Sequence, residues 1–320
     1  MTVRISGAAL PHWEQILPPW PGEEVDGLFV RRAPGPATGG QPALFVHGLG
    51  GASTNWTDLM GLLADRLDSE ALDLPGFGRS QPPRRGDFSL DSHVRSVVRH
   101  LERGSRGPVH LFGNSLGGAV STRVAAERPD LVRTLTLISP ALPNLRPKRG
   151  SDPRLPLLLV PGLSKLATRS LAKRTPEQRA QAVLEICYAD TSRIPQQRID
   201  EAVAEVVRRN GLAWAELAFT ASLRGLIASY LERGPRALWR QAATVTAPTL
   251  LLWGDKDQLV DVALAPRARR TFPDSRLLVL PDTGHVAQLE QPEIVARAFL
   301  GLIEELEDRL AAPPEASAAS

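Results

Sequence analysis

Short apolar runs bounded by turn-forming residues recur along the chain. They are ALFV at 43–46, EALDL at 70–74, PVHLFG at 108–113, LVRTLTLIS at 131–139, PTLLLWG at 248–254 and SRLLVL at 275–280. Their length and their Gly, Pro and Asp borders predict buried strands. A hairpin arm is expected at Val25–Arg32, before the turn-rich APGPATGGQP. Between the runs lie helical patterns. Leu59, Leu62, Leu63 and Leu67 share one face of a helix over 55–67, and further helices are expected over 89–103 and 116–127. Strand and helix signals alternate, which predicts an α/β protein with a mostly parallel central sheet flanked by helices.

The alternation stops after Ser139. From about 141 to 243 no strand pattern is convincing, and helical stretches such as 176–190 and 197–210 dominate. The strand pattern resumes at 248. Residues 244–310 hold only two clear strands, a poor sheet alone, but they complete the first half. The expected organisation is a core of 1–140 and 244–310, interrupted by a helical segment at 141–243. AAPPEASAAS, over 311–320, reads as a disordered tail.

Composition narrows the function classes. Of 320 residues, 42% are hydrophobic and 23% charged, which suits a globular enzyme. The single cysteine, Cys187, excludes an intrachain disulfide, a four-cysteine zinc site and an iron–sulfur cluster. The net charge of +3 is small and almost every cation is arginine. The densest basic stretch, Arg146–Arg154, reads as a solvated loop, so no nucleic-acid partner is expected. The apolar run Leu155–Leu163 is interrupted by prolines and falls short of the roughly 18 residues that cross a bilayer. No secretory signal is read at the N-terminus, so the expected location is cytoplasmic. Oligomeric state is not legible.

The strongest chemical signal is Gly113-Asn114-Ser115-Leu116-Gly117, followed by Gly118. It joins the run VHLF to a helical stretch of small residues, the strand–turn–helix setting in which G-x-S-x-G has mechanical meaning. Such a turn lifts the Ser115 hydroxyl above the sheet, and Gly113 and Gly117 let its two arms approach. The helix starting at Leu116 offers unpaired N–H groups to a developing anion. His47-Gly48-Leu49-Gly50 follows the strand at 43–46, where a tight loop can supply a second donor. The backbone N–H groups of Leu49 and Leu116 are therefore the expected oxyanion donors, with His47 a structural hydrogen-bonder. No phosphate-binding loop is present, and Gly48, Gly50 and Gly51 do not have dinucleotide-binding spacing.

Together these pieces resemble the α/β-hydrolase superfamily, in its branch of cap-bearing serine esterases and meta-cleavage-product hydrolases. The matching segments are HGLGGASTNW (47–56), DLPGFGRS (73–80), GNSLGG (113–118), LLLWGDKD (250–257) and Gly284-His285. The resemblance implies an α/β-hydrolase fold with 141–243 as a helical cap, and the chain order nucleophile, acid, histidine. His285 is the only histidine downstream of Ser115 and is expected to be the base. Asp255 and Asp257 both follow the strand at 248–254, with Asp261 nearby. The family pattern G-x-x-D points to Asp257, leaving Asp255 to satisfy loop donors. Asp73 and Arg79 are expected to organise their loop, and Asn114 to hydrogen-bond near the nucleophile turn.

The resemblance implies acyl transfer through a Ser115–His285–Asp257 triad, with no metal and no cofactor. The expected substrate is a small to medium hydrophobic ester. Trp214, Phe219, Leu223, Leu226, Tyr230 and Trp239 serve as packing residues of the cap or line an acyl pocket. Relatives that use aspartate at the turn, such as haloalkane dehalogenases and epoxide hydrolases, are disfavoured by the serine. The alternatives are carbon–carbon bond hydrolysis of meta-cleavage-type dienones and, in another class, a non-catalytic small-molecule binding protein.

Overall fold

The computed structural model describes residues 3–144 and 174–311. Eight strands form one sheet. They are β1 (Gly22–Val25), β2 (Leu28–Ala33), β3 (Gln41–Val46), β4 (Leu67–Leu72), β5 (Val109–Asn114), β6 (Val132–Ile138), β7 (Thr249–Gly254) and β8 (Ser275–Leu280). The order is β1-β2-β4-β3-β5-β6-β7-β8. β1 and β2 are antiparallel to their neighbours, and all pairings from β4 to β8 are parallel. The hairpin arm expected at Val25–Arg32 is present as the antiparallel pair β1–β2. Asp26 and Gly27 both take positive φ at its turn, the conformation that matches the twist of two short strands.

Alternation along the central strands explains the layers. Leu44, Val46, Leu111, Leu251 and Trp253 face one apolar cluster. That cluster packs α2 (Leu90–Gly104), α3 (Leu116–Glu127) and α8 (Ala265–Thr271) onto the sheet. Ala43, Phe45, Phe112, Leu250 and Leu252 face the other cluster, with α1 (Thr57–Leu62), the short α9 (Ala287–Glu290) and the long C-terminal α10 (Pro292–Ala311). Every residue of β5 and β7 is buried; TLLLWG reads as a mostly apolar run, and the apolar run of β5 is interrupted by the buried His110.

Two expectations near residue 65 need correction. The helix read over 55–67 is a 3-10 turn at Ser53–Trp56 followed by the shorter α1. Leu63 and Leu67 are buried, but Leu67 already begins β4, paired with Gln41 of β3. The strand read at 70–74 accordingly starts earlier, because β4 opens with LDSE. Glu70 sits in that strand with little exposure because Arg32, His100 and Arg106 surround its carboxylate.

Between β6 and β7 the described residues form α4 (Pro176–Cys187), α5 (Gln196–Asn210), α6 (Ala215–Tyr230) and α7 (Leu238–Ala242). Thr175 starts α4 with a reciprocal capping box to Gln178. Tyr230 and Trp239 pack against the first core cluster, with Leu226 buried inside it. The basic stretch Arg146–Arg154, the run Leu155–Leu163 and residues 312–320 lie outside the described residues. Among the described residues no helix is long and apolar enough to cross a membrane.

Candidate active site

Parallel strands send the loops after β3, β5, β7 and β8 to one edge of the sheet, where ligand sites of open α/β sheets form. Those four loops carry His47–Gly50, Ser115, Asp257 and His285. Residues remote in sequence therefore meet because their strands are neighbours.

Ser115 joins β5 to α3 with φ 54° and ψ −119°. That backbone conformation costs an L-residue about 1–3 kcal/mol and persists only where its surroundings enforce it. The surroundings are tight. A Cβ on Gly113 would stand 2.5 Å from the carbonyl oxygen of Gly117, and one on Gly117 2.2 Å from that of Val46. The Ser115 amide donates to the Ile138 carbonyl at 3.1 Å, and its carbonyl accepts from Ala141 at 2.9 Å. Leu116 is the first residue of α3, so its N–H has no partner within the helix. The loop after β3 lies directly beside the serine, since a Cβ on Gly48 would be 3.0 Å from Ser115 Cβ. Leu49 follows in that loop.

His285 and Asp257 are both buried, and His285 Nδ1 lies 2.9 Å from Asp257 Oδ2. The other carboxylate oxygen, Oδ1, accepts the amides of Leu259 at 2.8 Å and Val260 at 2.9 Å. Burial would raise this carboxyl. The charge and hydrogen bond of His285 and the Val260 amide outweigh it and hold Asp257 below its ordinary range. Asp255 is turned elsewhere, its Oδ1 3.5 Å from the Thr283 amide. Asp261 accepts the Ala263 amide at 3.0 Å. Of the three aspartates, Asp257 is the one brought to His285.

His47 bridges backbone groups. Leu74 donates its amide to Nε2 at 2.9 Å, which leaves the proton on Nδ1 to bond the Gly48 carbonyl at 2.7 Å. Complete burial lowers its pKa and keeps the ring neutral. Asp73 organises the next loop by accepting the amides of Ser53 at 2.6 Å and Arg79 at 2.8 Å. Asn114 donates from Nδ2 to the carbonyls of Ile138 and His285. His93, His100 and His110 are spent on Ser222, Glu70, and Thr134 with Gln41. Among the described residues no three His, Cys, Asp or Glu side chains form a metal-binding group.

Arg209 on α5 is a site residue that sequence reading did not single out. Its Nη1 donates to the Gly50 carbonyl at 3.1 Å. Gly50 has φ +77°, and a Cβ there would stand 3.1 Å from the Phe219 ring. Arg209 and Phe219 thus hold the loop that carries Leu49. No local motif signals this, because Arg209 and Gly50 are 159 residues apart.

Comparisons with known proteins agree with this architecture. Residues 42–292 match the family described as the alpha/beta hydrolase fold. The dihydrolipoyllysine-residue acetyltransferase component of the acetoin cleaving system of Cupriavidus necator is 28% identical over 84% of this chain. The match spans 64% of that relative's length. A monoacylglycerol lipase of Homo sapiens is 25% identical over 81% of this chain and 74% of its own. A meta-cleavage product hydrolase from Pseudomonas fluorescens IP01 superposes with a TM-score of 0.71 at 19% identity. That likeness covers 90% of this chain and 98% of the other and speaks for the fold.

Proposed function

This chain belongs to the alpha/beta hydrolase fold family, and from that premise we propose that it is a serine hydrolase of carboxylic esters with small to medium hydrophobic groups. The observation that carries the reading is the buried His285–Asp257 pair, tied to the strained Ser115 turn by the hydrogen bond from Asn114 to the His285 carbonyl. A histidine whose Nδ1 is held by a carboxylate keeps Nε2 free to take a proton. The names of lipase relatives support hydrolysis as the reaction class.

In the proposed mechanism His285 Nε2 removes the Ser115 proton as Oγ attacks the ester carbonyl carbon. The carbonyl π electrons move to oxygen, and the backbone N–H groups of Leu49 and Leu116 stabilise that oxyanion. Collapse expels the alcohol, which takes its proton from His285. Water then attacks the acyl-enzyme, delivering its proton to the same histidine. The acid departs and Ser115 regains its proton. Asp257 stays ionised throughout and stabilises the imidazolium. The helical segment between β6 and β7 acts as a cap over this edge, with Phe219 its nearest aromatic to the Gly50 loop.

The test is hydrolysis of p-nitrophenyl esters of increasing acyl length by wild type and Ser115→Ala. Turnover that vanishes in the variant is expected, with a length profile that reports the acyl pocket. Wild-type turnover in a folded Ser115→Ala protein would overturn the mechanism. A folded wild type inert on every ester would overturn the substrate class.

A further inference from the structure

The segment leaving α4 runs against the histidine loop in an arrangement that the mechanism above does not use. The His285 amide donates to the Cys187 carbonyl at 2.7 Å. The Glu290 carboxylate accepts the amide of Gly284, the residue before the histidine, at 2.6 Å through Oε1. Its Oε2 accepts the Ala189 amide at 2.9 Å. One half-buried side chain thus ties both backbones together. Gly284 is required for the approach, since a Cβ there would stand 2.4 Å from the Cys187 carbonyl oxygen and 2.7 Å from the Ala189 nitrogen.

Apolar packing reinforces the same junction. A third, separate cluster joins Leu184, Tyr188 and Ile194 of the helical segment to Val286, with Leu289 packed against it. Val286 and Leu289 flank His285 and Glu290 in sequence. The helical segment is therefore attached to the histidine loop by two hydrogen bonds from backbone amides and an apolar seam, while the Gly284 amide holds Glu290 within the loop. Burial raises the Glu290 carboxyl and the nearby Asp257 charge adds to this, while the Ala189 and Gly284 amides and Arg193 oppose it.

We propose that Glu290 is a positioning residue, which sets the His285 ring against Asp257 and Ser115 by clamping Gly284 to Ala189 of the helical segment. This rests on the reading of His285 as the general base. The helical segment then does more than cover the site, because its first linker forms part of the support of the base. A bond to the backbone beside His285 acts on proton transfer rather than on substrate binding, so its loss falls on kcat.

The experiment measures p-nitrophenyl butyrate hydrolysis and thermal unfolding for wild type, Ser115→Ala, Glu290→Gln and Ala189→Pro. Glutamine keeps the size but turns an N–H donor toward one of the two amides. Proline removes the Ala189 donor and puts its ring Cδ where the N–H pointed at the carboxylate, so it breaks this bond and pushes Glu290 away from Ala189; Tyr188, at φ −100° and ψ 149°, already has the extended conformation a following proline requires. Glu290→Gln is expected to lower kcat about 10- to 100-fold, with KM within about twofold and Tm within about 3 °C. Ala189→Pro is expected to lower kcat in the same sense with KM kept. A folded Glu290→Gln protein with wild-type kcat, beside an inactive Ser115→Ala, would overturn the clamp and leave the triad standing. If Glu290→Gln fails to fold, Ala189→Pro decides: reduced kcat at unchanged KM supports the clamp, and wild-type kcat overturns it. Turnover retained in Ser115→Ala would instead overturn the reading of His285 on which the clamp depends.

Discussion

Asn114 and His285 are 171 residues apart, yet Asn114 Nδ2 donates to the His285 carbonyl at 3.1 Å. The same amide group donates to the Ile138 carbonyl at 3.0 Å. The residue before Ser115 thus ties the backbone of the histidine loop to the end of β6. Asn114→Leu keeps the volume and removes both donors. The Ile138 carbonyl keeps the Ser115 amide, but the buried His285 carbonyl loses its Asn114 donor, at a cost of about 1–3 kcal/mol. The expected outcome is a folded protein of lower Tm whose kcat falls about tenfold, since the two loops lose their common reference. Thermal unfolding and steady-state kinetics check it.

Asp257 divides its oxygens between His285 and the amides of Leu259 and Val260. An asparagine at this position would keep an oxygen for those amides and turn its NH2 toward His285 Nδ1. The ring would then carry its proton on Nε2, where a base needs a lone pair. Asp257→Asn is therefore expected to lower kcat by about 10⁴ with little change in stability. Pre-steady-state kinetics with a p-nitrophenyl ester would show the acylation step slowed by the same factor.

Arg209 reaches across from α5 to the Gly50 carbonyl. Arg209→Met retains much of the side-chain volume and removes the charge-assisted bond, which contributes about 1.5–3 kcal/mol in typical cases. A looser Gly50 turn leaves the Leu49 N–H poorly aimed at the oxyanion. The expected result is a kcat reduced about tenfold or more with KM less affected. Wild-type kcat in the methionine variant would remove Arg209 from the account of the site.

Glu70 gives the protein an acid-sensitive bond network remote from the site. Burial alone would raise its carboxyl, but hydrogen bonds from His100 and Arg32 and the charge of Arg106 prevail and hold it at about 2. A carboxyl with a depressed folded pKa contributes stability above its unfolded value, and that contribution is lost as pH falls through the folded value. The window runs from the ordinary value of 4.5 down to about 2. A shift of this size corresponds to about 3 kcal/mol at neutral pH. Glu70→Gln is expected to lower stability near pH 7 and to flatten its dependence on pH below 4.5. Urea unfolding of both proteins across this range reads the difference directly.

What was legible in the chain was what neighbouring residues decide among themselves. The largely apolar runs of β5 and β7 announce strands buried on both faces. The small residues around Ser115 announce a sharp turn, because a strand and helix cannot otherwise approach so closely. The limits of α3 and β8 match the pattern residue for residue. The start of β4 is hidden because Asp68, Ser69 and Glu70 stand together after Leu67 and break its apolar pattern. The groups that make burial of the Glu70 carboxylate tolerable come from β2, α2 and the turn beyond α2.

The tertiary structure decided which side chains face one another. Asp255 and Asp257 are two residues apart on the same loop, and only the course of that loop beside β8 turns Asp257 toward His285. Arg209 and Gly50, or Glu290 and Ala189, carry no mark of their partnership in sequence. The physical reason is range. Backbone conformation responds to neighbours within a few residues, so a strand, a helix start or a strained turn is written locally. A hydrogen bond between loops exists only after the sheet has aligned its parallel strands and brought their ends to one edge.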